Sequence, residues 1–115
     1  MYDIIIRNGK IVDGTGNPWF KADLGIRDGN IVDIGLIEDN GERIIDATGL
    51  IVSPGFIDIH SHSDLPLLVD GQAHGKVRQG VTTEVIGNCG YSLAPAKGEM
   101  AKSDLEQALG EYGLE

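Results

Sequence analysis

Residues 54–62 read Pro54-Gly55-Phe56-Ile57-Asp58-Ile59-His60-Ser61-His62. Pro-Gly is a turn signal, and the run after it sets aromatic and β-branched residues against polar ones, the pattern of a short strand. Side chains alternate along a strand, so Asp58, His60 and His62 are expected on one face and Ile57, Ile59 and Ser61 on the other. The two histidines then stand about 6.6 Å apart along the backbone. Both imidazoles can reach one metal ion from there, at about 2.0–2.1 Å each. Asp58 either orients them or caps a loop beneath the strand. Taken alone, a His-x-His pair is weak evidence, since most such pairs are surface or core histidines.

Downstream, the spacing predicts a short helix over 72–79, weakened by Gly75, with His74 as an exposed helix residue. Val81-Thr82-Thr83-Glu84-Val85-Ile86 reads as a second strand, ending in Gly87-Asn88-Cys89-Gly90. Ser103-Asp104-Leu105-Glu106 fits a capping box, which predicts a helix starting at Ser103 and weakening at Gly110 and Gly113. Strand, helix, strand, helix implies an α/β arrangement with parallel strands. Ser63, Asp64 and Tyr91 fall near the strand ends, where active sites of parallel barrels lie, and their roles stay open.

Upstream the pattern is different. Arg7-Asn8-Gly9-Lys10-Ile11-Val12-Asp13 is echoed by Arg27-Asp28-Gly29-Asn30-Ile31-Val32-Asp33. Asn-Gly and Asp-Gly between β-branched runs predict two hairpin turns, hence a small antiparallel sheet. Gly14-Thr15-Gly16-Asn17-Pro18 is a loop by composition. A third strand pair is expected at 43–46 and 50–53, joined around Thr48-Gly49. Residues 1–53 therefore form a β domain of antiparallel hairpins, and 54–115 begin an α/β domain.

The 115 residues carry a net charge of −9. That argues against nucleic acid, which is bound by clustered Lys and Arg. The apolar runs fall far short of the roughly 20 residues that a membrane helix needs. Asp3 stands where a signal peptide would be basic, so a cytoplasmic location is expected. Cys89 is the single cysteine, which excludes an internal disulfide. Either it is a small buried residue or it has chemistry of its own.

Pro54 to His62, preceded by the "DIIIRNGKIVDG", "GNIVDIG" and "IIDATGLIVSPG" segments, resembles the N-terminal signature of the amidohydrolase superfamily. Gly14 to Pro18, His60-Ser61-His62-Ser63-Asp64 and Gly80 to Gly90 resemble its N-acyl-D-amino-acid deacylase (D-aminoacylase) group. The resemblance implies a small β-sandwich over 1–53, beside the first strands of a metal-dependent (β/α)₈ barrel over 54–115. It implies zinc, one or two ions per complete site, with His60, His62 and Cys89 as ligands, where many relatives use a carboxylated lysine. The implied reaction is hydrolysis of the amide of a small N-acyl-D-amino acid to a carboxylate and a D-amino acid. Further histidines and a general-base aspartate are expected beyond residue 115; a closed barrel typically takes about 250 residues, so the chain reads as truncated and inactive alone. Asp64 and Glu84 are candidate bases only by proximity in sequence. A cyclic-amide hydrolase of the dihydroorotase or hydantoinase type, and a non-catalytic β-rich fragment, are the competing readings.

Overall fold

The computed structural model describes residues 1–92, 95 and 97–113. The chain divides into two compact units, Met1–Pro54 and Gly55–Glu115.

The first unit is one five-stranded sheet built around β1 (Tyr2–Ile11). β2 (Phe20–Arg27) lies antiparallel along one side of β1, and β3 (Asn30–Gly35) follows antiparallel on β2. On the other side β4 (Gly41–Asp46) and β5 (Ile51–Val52) both run parallel to β1, pairing with its first and second halves. The sheet is therefore mixed, whereas antiparallel hairpins were expected. Of the sandwich, the described residues form this one layer.

Only one of the two expected hairpin turns forms. Asp28 (φ 50°) and Gly29 (φ 72°) join β2 to β3 in left-handed conformations, as a two-residue hairpin requires. Asn8 also takes a positive φ, 62°, yet it lies inside β1. Between Ile6 and Gly9 the register slips by one residue, so Asn8 is the extra residue of a β-bulge. Its N–H leaves the ladder and donates to Asp23 Oδ1 at 2.9 Å, and its Nδ2 donates to Asp46 Oδ1 at 3.0 Å. At Gly9 a Cβ would stand 2.7 Å from Val52 Cγ2, so only glycine lets β5 close on β1.

The strand pair expected across Thr48-Gly49 does not form either. Asp46 Oδ1 accepts from the Thr48 N–H and hydroxyl, and Gly49 takes φ 80°. That turn passes the chain along the edge of β1 instead of folding it back.

The core of this unit is small. Tyr2, Ile5 and Ile37 form its buried cluster, and Ile5 is the one wholly buried large side chain. Gly25 admits the Tyr2 ring, since a Cβ there would meet Tyr2 Cε1 at 2.6 Å. Asp23, 7% exposed, spends both oxygens on the backbone, taking the Asn8 and Ile37 N–H groups.

The second unit holds β6 (Phe56–Asp58), α1 (Pro66–Val69), α2 (His74–Val77), β7 (Val81–Glu84) and α3 (Glu99–Glu111). β6 and β7 pair in parallel, with the two short helices in the connection. Sequence reasoning missed α1, which starts at Pro66, a residue suited to a first helical turn. α3 begins at Glu99 and not at Ser103. Gly98 stands at its cap without a side-chain bond, Lys102 N–H already donates to Gly98 O at 3.2 Å, and Ser103 lies inside the helix. An acidic first-turn residue, Glu99, complements the helix dipole there. No helix among the described residues is long and apolar enough to cross a membrane.

Candidate metal centre

β6 stops at Asp58, so His60 and His62 do not project from a strand face as their spacing predicted. A turn brings them together instead. Asp58 Oδ1 accepts the His60 N–H at 3.1 Å, and the two rings meet edge-on with centroids 5.4 Å apart. Of the two roles weighed for Asp58, this is the loop cap.

Cys89 arrives from the other strand. Past β7 the chain turns through Gly87 (φ 79°), Cys89 itself (φ 57°) and Gly90 (φ 82°). Asn88 pins this turn, its Nδ2 donating to Val85 O at 2.8 Å and to Ser61 O at 3.1 Å. The Cys89 thiol thereby sits 3.2 Å from His60 Nε2. One donor atom each from His60, His62 and Cys89 lie within 4.8 Å of one another, and all three residues are exposed. On a tetrahedral zinc with ordinary bond lengths, two such donors stand about 3.3–3.6 Å apart. The donor set fits the ion, and the His60–Cys89 separation of 3.2 Å is close to that spacing. All three follow the C-terminal ends of parallel strands, the rim where barrel chemistry lies.

Of the acids considered as bases, Glu84 is engaged and Asp64 only in part. Glu84 Oε2 accepts from Ser61 Oγ and, at 2.6 Å, from Ser63 Oγ, with Lys76 Nζ 3.5 Å away. The Ser61 and Ser63 hydroxyls, and then Lys76, hold its carboxyl below the usual range. Asp64 Oδ1 accepts the Gly87 N–H at 3.1 Å, while its buried Oδ2 has no partner among the described residues. His74 is on α2 and exposed, as expected. Tyr91 stacks edge-on to His62 at 5.8 Å. With Asp64, Leu65, Pro66 and Tyr112 these two line a cavity of about 250 Å³.

Sequence reasoning missed Lys76 and Ser61. Lys76 answers a pairing seen only in the structure: Asp58 and Glu84 are register partners on adjacent strands, where like charges disfavour each other.

Residues 43–108, more than half of the 115, match the amidohydrolase family. The chain belongs to that family. Within it, the chain is 45% identical over 95 residues to the D-aminoacylase of Alcaligenes xylosoxydans xylosoxydans, covering 82% of this chain and 20% of that protein. It also superposes on the N-acyl-D-glutamate deacylase of Bordetella bronchiseptica, solved with zinc and a phosphonate inhibitor. There the TM-score is 0.78 at 49% identity, covering 83% of this chain and 20% of that one. The D-hydantoinase of a Thermus species is more distant, with a TM-score of 0.64 at 26% identity, covering 90% and 24%. The chain thus spans about a fifth of the length of the curated relatives it matches.

Proposed function

We propose that this chain contributes to a zinc-dependent hydrolase that cleaves the amide of N-acyl-D-amino acids, releasing a carboxylate and a D-amino acid. The observation that carries the reading is the convergence of His60, His62 and Cys89 donor atoms within 4.8 Å. Support comes from the likeness to deacylases over four-fifths of the chain, stronger than the likeness to a hydantoinase. A cysteine beside the histidine pair also counts against the lysine-bridged alternative.

His60 and His62 would offer neutral nitrogens and Cys89 a thiolate, so metal uptake releases the thiol proton. When bound, zinc supplies Lewis acidity toward an amide carbonyl and acidifies water toward neutral pH. The chain's own part is to present three donors on an open rim, since every one of them is exposed. Asp58 and Glu84 are engaged elsewhere, Asp64 keeps one oxygen on the Gly87 N–H and one without a partner among the described residues, and the chain spans only about a fifth of its relatives' length. The 115 residues should therefore bind zinc without turning over substrate.

The test is zinc content by mass spectrometry after dialysis, paired with release of D-amino acid from its N-acetyl derivative. We expect one equivalent of zinc and no turnover in this chain, with Cys89→Ala losing the metal. In a chain extended to the relatives' length, Cys89→Ala should abolish turnover as well. Full zinc and activity in that mutant would make Cys89 a structural residue and sink the proposal.

A further inference from the structure

Asp58 and Glu84 are paired in the β6·β7 register, an arrangement that like charges disfavour. Lys76, from α2, resolves it by reaching both carboxylates, with Nζ 2.5 Å from Asp58 Oδ2 and 3.5 Å from Glu84 Oε2. The Glu84 side chain keeps only 9% of its exposure, so its charge depends on these partners. Simple strand glue would end there. Here each carboxylate also runs on to a metal-site residue. Asp58 Oδ1 holds the His60 N–H. Glu84 Oε2 takes the hydroxyls of Ser61 and Ser63, the residues on either side of His62. Ser61 O then accepts the side chain of Asn88, next to Cys89. All three donors are tied to one ammonium through no more than a few hydrogen bonds.

We propose that Lys76 and Glu84 are positioning residues for the His60–His62–Cys89 centre, an inference that rests on the metal-site reading above. They touch neither metal nor substrate. Their work is to fix the backbone carrying both histidines so that the donors converge before an ion arrives. Partners in this outer position typically change metal affinity by about 10–100-fold when removed.

The experiment titrates the whole chain and its Glu84→Gln, Lys76→Met and Lys76→Arg variants with Co²⁺, following the sulfur-to-cobalt absorption band. Circular dichroism checks that each variant is folded. Glu84→Gln and Lys76→Met should bind 10–100-fold more weakly, with altered visible bands at saturating Co²⁺. Lys76→Arg should recover most of the affinity, because a guanidinium can also span two carboxylates. Wild-type affinity and an unchanged spectrum in both disruptive variants would overturn the positioning role and leave the metal site standing. Absence of the sulfur band in the wild-type chain would instead overturn the metal-site reading. The positioning role is then decided without metal, by amide exchange. Glu84→Gln and Lys76→Met should speed exchange at His60 and Ser63 more than at Val85, whose N–H donates to Asp58 O at 2.8 Å in the strand ladder. Equal acceleration at all three means general loosening and rejects the inference.

Discussion

Cys89 holds a left-handed backbone, φ 57°, in a turn where Gly87 and Gly90 take positive φ without penalty. For a residue with a Cβ that conformation costs about 1–3 kcal/mol. Removing the side chain should therefore separate strain from function. In urea denaturation of the metal-free chain, Cys89→Gly should leave stability unchanged or raise it by up to about 1 kcal/mol, while zinc binding is lost. A loss above about 1 kcal/mol would show that the thiol is packed for stability. Asp46 offers a test by pH. The Asn8 side-chain amide, then the Thr48 hydroxyl and N–H, hold its carboxyl below the usual range. A depressed value means stability that is present above the unfolded value of about 3.9 and lost as pH falls through the folded one. The carboxyl carbon shift of Asp46 should titrate below that value, and Asn8→Gly, which keeps the positive φ, should raise the midpoint. Identical midpoints would remove Asn8 as the cause. At this scale the residues whose donor atoms converge, His60, His62 and Cys89, were singled out by a family resemblance. Ser61 was not, since strict alternation set it on the face away from the histidines, whereas it is buried and reaches Glu84.

The elements show how far pattern reading extends. Asn8-Gly9 announced a positive φ correctly, but the same chemistry serves a bulge as well as a hairpin, and local sequence does not choose between them. Partners fifteen to thirty-eight residues away, Asp23 and Asp46, made the choice. Parallel pairing of β4 and β5 on β1 was invisible for the same reason, as it is decided by contacts distant in sequence. Asp28-Gly29 was readable because both strands it joins are its immediate neighbours. The capping box at Ser103 failed to start α3, since helix continued upstream to Glu99. A core this small makes each member count. Ile5, fully buried against Tyr2 and Ile37, should cost about 2–5 kcal/mol when replaced by alanine. The urea midpoint of that variant measures it; a cost below about 1 kcal/mol would mean the sheet repacks freely.

For the whole molecule, the two units differ in how much they can hold on their own. The first has five strands and a buried cluster. The second has a two-stranded sheet whose Phe56 and Ile57 both remain 62% exposed, with Ile59 just past it 77% exposed. Two strands are marginal in water. Metal should matter most there, because a ligand that binds only the folded form stabilises it by mass action, about 2.7 kcal/mol at a hundred times its Kd. Limited proteolysis should nick 55–113 first in the metal-free chain, and zinc should slow those cuts several-fold. Cleavage in that span at the same rate with and without zinc would argue that the donors do not grip an ion. The boundary near residue 54 was legible in the shift from hairpin turns to the strand–helix pattern, which Ser53-Pro54-Gly55 punctuates.

The bulge in β1 carries one more consequence, for the ageing of the protein. An asparagine followed by glycine is the dipeptide most prone to lose its side-chain amide through ring closure onto the next nitrogen. In the folded chain Asn8 is tied by that same amide to Asp46, 3.0 Å away, and its own N–H is held by Asp23. Conversion to aspartate would set a new carboxylate against Asp46 and near Asp23, three acids around one kink in the central strand. Folded protein should therefore stay intact at Asn8 in a peptide map after weeks of storage, while unfolded chain deamidates there and refolds poorly.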